Sequence, residues 1–335
     1  MTKKIKITAQ PTPENNLTFA DALQEFFDYQ IANARSSQTA ETYISSLRVF
    51  SKWAFANYPN DFYLREFNNK KFINEYVMWL RTERNNNENT VAFHKRHLRV
   101  FLYWCMDKQY ISEYVVDVKK PQEEIPETYT KEEIELLIKK PKTKEFVENR
   151  NWVIINLLLS LGNRRNTITG YRMKDLLLRE GWLTTNQTKS KKAQRFPLNQ
   201  HITKILGDYV KLYRSEASAD EPLFPEQFGG FMNPNSLTHS INKYNKSRGV
   251  SKTSIHTFRH TFAKNWVVEG GDSLMLQRIL GHSSLTMTEN YVRLFGEDLK
   301  PYVERYNPLA NYSNSRKTKI TRNNNLRKAG RGSRN

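Results

Sequence analysis

The chain of 335 residues holds a single cysteine, Cys105, so no internal disulfide can form. Cys105 lies in RVFLYWCMDK among apolar and aromatic neighbours, where a buried core thiol is expected rather than a nucleophile. No apolar run approaches the ~20 residues a membrane-spanning helix needs. The first residues, MTKKIKITAQPTPENN, are basic but contain no apolar segment, so they are not expected to act as a secretory signal. A cytoplasmic location without membrane contact is the expectation. Acid is scarce as well. Asp and Glu number 34 against 53 Lys and Arg, giving a formal charge of +19 and a pI of about 9.8. That excess favours a polyanionic partner, nucleic acid before a membrane surface. No segment repeats itself.

The residues that are present argue for ordinary folded cores. Hydrophobic residues make up 38% of the chain, with 18 Phe, 17 Tyr and 6 Trp, too many for wholesale disorder. The length suggests two domains. After an arm over residues 1–16, the segment 17–118 reads as helices. TFADALQEFFDYQIANA opens with Thr18 and Asp21 in capping-box spacing and carries Leu23, Phe26, Phe27 and Ile31 at helical intervals. The next helix stripes Tyr43, Leu47, Phe50 and Ala54, and a third stripes Phe72, Tyr76 and Leu80. A fourth mixes an apolar stripe with His94, Lys95, Arg96, His97 and Arg99. That basic cluster is either a solvated face or a DNA-facing surface, and Lys95, Arg96 and Arg99 are the candidate phosphate contacts.

The polar, two-proline segment 119–129 reads as a linker before a capping box at Thr130 and Glu133. A second domain over residues 130–309 is expected to be mixed. The apolar NRNWVIINLLLSLG reads as a buried helix. Leu176 to Lys189 and Gln194 to Leu198 read as a small sheet with turns at Gly181 and near Ser190. Residues 310–335 form a basic, disordered tail. The fold class is therefore mainly α with a small β-sheet, an α+β chain.

The richest chemistry lies between Ser254 and Tyr291, which holds three of the seven histidines. Ser254 is the expected N-cap of a helix from Ile255 to about Val268, on which His256 and Arg259 share a face. Asp272 caps a second helix ending at Gly281, with His282 just beyond, and Thr286 with Glu289 opens a third that carries Tyr291. Folded together, these helices bring a guanidinium, imidazoles and a phenol to one surface. That set suits a phosphodiester, the guanidinium holding non-bridging oxygens and the phenol attacking phosphorus. His256 and His260 have the i,i+4 spacing of a metal pair. Thr257 stands where HExxH has its glutamate, so no metal is expected. Two further cations draw attention, Arg164 after the glycine that ends the buried helix, and Lys189 at the expected β-turn.

On these residues the C-terminal half resembles the tyrosine recombinase (phage integrase, Xer-like) family. LGNRRNTITGYRMKD resembles the family's first box, with Arg164 as catalytic arginine and Asp175 as trailing acid. Spacing to Asp175 favours Arg164 over Arg165. Asn163 and Thr167 depart from the family's usual hydrophobic residue and glutamate. Lys189, before Pro197-Leu198, resembles the hairpin lysine, with Lys191 and Lys192 as competitors. His256 to Arg259 resembles HxxR, Leu280-Gly281-His282 resembles LGH, and Tyr291 stands as the nucleophile. Arg259 and His282 are 23 positions apart, and His282 and Tyr291 nine. The resemblance covers these motifs in the second domain and extends to the helical first domain by architecture alone, as a core-site DNA-binding domain.

The resemblance implies a site-specific recombinase (integrase, resolvase or invertase) acting through a covalent 3′-phosphotyrosine and a Holliday junction. Lys189 would be general acid, His282 a hydrogen-bond donor to the phosphate, and His256 a base for Tyr291. It needs neither ATP nor metal, so no cofactor is expected. The implied partners are double-stranded DNA with specific core sites and further copies of the chain in a homotetramer. Leu299, Tyr302, Val303 and Tyr306 would dock on a neighbouring subunit or on their own domain. The alternatives are a catalytically silent DNA-binding protein of the same fold and a topoisomerase. The short N-terminal arm favours a simple core-site enzyme.

Overall fold

A computed structural model describes residues 17–33, 36–58, 63–68, 70–119, 125–185, 194–282 and 286–295. The chain divides into two units, Met1–Glu124 and Ile125–Asn335. Among the described residues no helix is long and apolar enough to cross a membrane.

The first unit is built from α1 (Phe19–Asn33), α2 (Ser37–Asn57), α3 (Lys71–Thr82) and α4 (Glu88–Asp107). Short polar side chains start three of them. Thr18 Oγ1 accepts from the Asp21 N–H at 3.1 Å, Ser36 caps α2 and Asn87 caps α4. The helices pool their apolar stripes in one core, with Phe26, Leu47, Phe50, Phe72, Tyr76, Leu80 and Phe101 all buried. Rings meet edge to face, Phe19 on Phe50 at 5.6 Å and Phe50 on Tyr76 at 5.0 Å, each pair adding about 0.5–1.5 kcal/mol beyond its buried area. Cys105 is fully buried in this core, and burial pushes its thiol well above the usual range. Ile31 departs from expectation at 69% exposure. Phe27 already lies at the edge of the packed face, and Ile31 is about 40° further round the helix, away from Phe26.

On α4 the basic cluster is divided. His94 Nδ1 meets Ser46 Oγ at 3.0 Å, and His97 lies against the rings of Tyr43 and Phe93. Both imidazoles face α2, and burial, the largest influence on each, holds both below the usual imidazole range. Arg96 is exposed, while Lys95 and Arg99 are half-buried.

The second unit opens with α5 (Lys131–Ile138), whose Thr130–Glu133 capping box has both bonds formed. Next comes α6 (Phe146–Leu161), in which Asn156 is the one polar residue along Trp152–Leu158, and which is buried among its neighbours. Gly162 ends it in the left-handed region at φ +59°. The short α7 (Arg165–Gly170) follows, then β1 (Leu176–Leu177), β2 (Trp182–Thr185) and β3 (Gln194–Pro197). These strands form an antiparallel sheet in the order β1-β2-β3, with Leu183 opposite Phe196 and both facing the core. Lys189, Lys191 and Lys192 lie outside the described residues, as do Leu299, Tyr302, Val303 and Tyr306.

The remaining helices are α8 (Gln200–Tyr213), α9 (Pro234–Ser247), α10 (Ile255–Val268), α11 (Ser273–Leu280) and α12 (Thr286–Leu294). Ser254 and Asp272 cap α10 and α11 as expected. Thr286 is the first residue of α12 rather than its cap, a one-residue difference at a helix end. The architecture is the mainly helical one with a small sheet that the sequence implied.

A Cβ at position 162 would lie 2.6 Å from a Phe262 ring atom and 2.9 Å from Leu280 Cδ2, on a backbone that L side chains rarely adopt. Gly162→Ala is expected to lower stability by about 1–3 kcal/mol, read as a lower urea midpoint at unchanged slope.

Candidate active site

The site grows from the C-terminal end of α11. Gly281, at φ +61°, stops the helix, and its own N–H reaches Arg278 O at 3.1 Å while the carbonyls beyond lack helical partners. Side chains from three other elements supply the donors. Gln194, at the start of β3, donates Nε2 to Arg278 O at 2.6 Å and to Ile279 O at 3.1 Å. Arg164 donates Nη1 to Leu280 O at 2.9 Å, and both terminal nitrogens to Gly281 O at 3.3 Å. Arg259, only 6% exposed, donates Nη2 to Leu280 O and Nη1 to Gly162 O, each at 2.8 Å.

One carbonyl oxygen therefore holds two guanidiniums together. The partial negative charge at a helix C-terminus favours cations there. Neither arginine has a carboxylate partner among the described residues. Burial, then Arg164, pushes the Arg259 pKa down to about 10, and burial also lowers that of Arg164. Arg259 stays charged at neutral pH, and the pair is left able to receive an anion. The Arg164-Arg165 doublet divides between two surroundings. Arg165 donates to Asn235 Oδ1 and Thr238 Oγ1, each at 3.2 Å, on the α9 side. Asp175 accepts the Arg172 N–H at 2.8 Å, a local turn contact.

Tyr291 is brought beside the arginines by α12. It is 7% exposed, in a small core with Phe262, Leu276, Leu280 and Phe295. Burial raises its phenol, while Arg259 and Arg164 pull it back down. Its hydroxyl lies 2.8 Å from His260 Nδ1. Sequence reasoning offered His256 as the base and weighed His260 only as half of a metal pair, yet the hydrogen bond runs to His260. His256, one turn earlier on α10, is exposed. Partial burial, then Arg259, Arg165 and Arg164, hold it below the usual imidazole range. His282 is 8% exposed, its Nδ1 2.9 Å from Thr288 Oγ1, and its ring lies parallel to that of Tyr291 with centroids 6.3 Å apart.

Arg164, Arg259, His260, His282 and Tyr291 are thus gathered in one place, with His256 at its edge. The contacts of Gln194, His260 and Thr288 were missed because none carries a motif of its own. Among the described residues no group of three His, Cys, Asp or Glu side chains could hold a metal ion.

Two guanidiniums without carboxylates beside a phenol suit the chemistry of a phosphodiester, which points to an enzyme of nucleic-acid strands. Comparison with known proteins gives the family. The phage integrase family pattern matches residues 127–297, and the phage integrase SAM-like domain pattern matches residues 18–120. The chain is 30% identical over 245 residues to tyrosine recombinase XerC of Thermodesulfovibrio yellowstonii, covering 70% of this chain and 78% of that one. It is 25% identical over 313 residues to XerD of Proteus mirabilis, covering 90% and 98%. In fold it is similar to a lambda integrase dimer bound to a COC′ core site, with TM-score 0.66, 15% identity and coverage of 82% and 95%. It is also similar to the XerH recombinase bound to its difH substrate, with TM-score 0.63, 19% identity and coverage of 84% and 96%. The chain belongs to the phage integrase family, the tyrosine recombinases. It is a site-specific recombinase that cuts and rejoins DNA strands, and these relatives do not favour the reading as a silent binding protein.

Burial, then Arg259 and Arg164, holds the His282 pKa down to about 4, against an ordinary value of 6.5. Between these values the unfolded chain binds a proton that the folded chain refuses, so stability falls as pH drops from about 6.5 toward 4. His282→Gln is expected to flatten this part of a curve of melting temperature against pH.

Proposed function

We propose that Tyr291 is the nucleophile of this recombinase and that Arg164 and Arg259 receive the scissile phosphate. The observation that carries the reading is the shared Leu280 carbonyl, which holds two forked cations beside Tyr291. An attacking phenolate drives phosphorus through a state with extra negative charge on its non-bridging oxygens. Prepositioned guanidiniums meet that charge without reorganising, which a lysine's point charge cannot copy. His282 donates a further hydrogen bond to a phosphate oxygen, and His256 lies near enough to the arginines to do the same from the exposed side. Lys189 is the general acid for the leaving 5′-oxygen. The bond energy is kept in a 3′-phosphotyrosine, so rejoining needs no external energy source.

The substrate is double-stranded DNA carrying specific core sites. The unit that includes residues 17–118 binds it, with Lys95, Arg96 and Arg99 of α4 on phosphates. Residues 130–309 form the catalytic domain, between a linker over 119–129 and a basic tail over 310–335. The working assembly is a homotetramer on a synapse, as one lambda integrase relative is a tetramer bound to a Holliday junction.

A core site can be recovered by selecting a pool of random duplexes on the purified protein. A nicked version of that site should then trap a covalent protein–DNA adduct, and Tyr291→Phe should abolish the adduct while still binding the duplex. Unchanged trapping by Tyr291→Phe overturns the assignment. Replacing Lys95, Arg96 and Arg99 with Ala should flatten the dependence of log affinity on log salt by about 0.9 for each phosphate that a side chain no longer neutralises.

A further inference from the structure

His260 lies outside the motif residues quoted above, and the structure puts it against the Tyr291 hydroxyl. On α10 it directly follows Arg259. A step of about 100° round the helix turns Arg259 toward Gly162 and Leu280 and His260 toward α12. The contact is held on both sides. Ala263 and Val267 of α10 pack with Tyr291 and Phe295, and His260 Nδ1 stands 2.8 Å from Tyr291 Oη, within proton-transfer reach. His282 is committed to Thr288 through its own Nδ1.

We propose that His260 is the catalytic base for Tyr291, its Nδ1 taking the phenol proton during cleavage and returning it during rejoining. The proposal rests on Tyr291 being the nucleophile. In cleavage the Oη–H bond breaks, Nδ1–H forms, Oη–P forms and P–O5′ breaks, while the 5′-oxygen takes a proton from the separate acid, the role proposed for Lys189. In rejoining the 5′-hydroxyl returns its proton to that same acid as its oxygen attacks, O5′–P forms, Oη–P breaks and the imidazolium gives its proton back to Oη. For Tyr291 to donate, the neutral imidazole carries its hydrogen on Nε2.

The surroundings keep that lone pair free. Burial, then His256 and Arg259 on its own helix, holds His260 below the usual imidazole range, and Tyr291 faces it from α12. No charge on α6 or α11 is among the groups that shift it. Without DNA the proton stays on the phenol, which burial makes a weak acid. As Oη begins to bond to phosphorus its hydrogen becomes strongly acidic, so the proton passes to Nδ1 in step with the attack.

The test is single-turnover cleavage of the nicked, selected duplex between pH 5.5 and 9.5. His260→Asn puts an amide where Nδ1 stood and keeps a hydrogen bond without a base. It is expected to bind the duplex as the wild type does and to cleave it about 100-fold more slowly at pH 7. Its rate should climb steadily with pH, where the wild-type rate levels off. His260→Ala should be equally slow and should recover rate with added imidazole. Wild-type rate and pH profile in His260→Asn overturn the proposal, as does a loss in both variants that neither pH nor imidazole changes. Tyr291→Phe separates the two claims. An adduct in that variant sinks the nucleophile assignment, whereas no adduct there with unaffected His260 variants sinks only the role of His260.

Discussion

The carbonyl oxygen of Leu280 accepts from Arg164 and Arg259 at once, and the geometry of the candidate site is arranged around that contact. Two guanidiniums repel each other, and burial makes the repulsion stronger. Carboxylates could neutralise them, but would leave nothing for a phosphate. Peptide carbonyls solve this by accepting hydrogen bonds without cancelling charge. The end of α11 is a favourable place to find them, because Gly281 closes the helix and leaves the Leu280 and Gly281 carbonyls to accept from the guanidiniums. Gly162 supplies a third, since its left-handed turn both ends α6 and aims its own oxygen at Arg259.

The same charges set the state of everything near them. His256, His260 and His282 are all held below the usual imidazole range by burial and neighbouring arginines. Tyr291 is pushed up by burial and pulled back by those arginines. A neutral phenol and neutral imidazoles beside fixed cations form a pocket whose main unmet demand is an anion. The arrangement costs stability at low pH, where a buried histidine that refuses its proton weakens the fold.

Much of this was legible in the residues. Ser254, Asp272 and Thr130 cap helices where their short polar side chains predicted it, because an N-cap depends on a few consecutive residues. The stripe Phe72, Tyr76 and Leu80 packs as its spacing indicated. Ile31 fails because periodicity gives a direction round the helix but not how far the neighbouring helices extend. The basic run on α4 divides in the structure, where His94 and His97 turn to α2 and Arg96 stays exposed. At the site, motif spacing singled out Arg164, His256, Arg259, His282 and Tyr291, and spacing to Asp175 favoured Arg164, the one of the doublet that reaches the end of α11.

Local order is written in short-range chemistry: caps, left-handed glycines, apolar stripes, a net charge that calls for a polyanion, and the motif residues themselves. Each depends on neighbours within a turn or two of helix, so it survives in the bare sequence. Which imidazole reaches the Tyr291 hydroxyl, which oxygen gathers both guanidiniums, and that Gln194 of β3 braces α11 depend on contacts between residues 21 to 116 positions apart. Those pairings follow from how the helices pack, and packing is settled by the whole core at once.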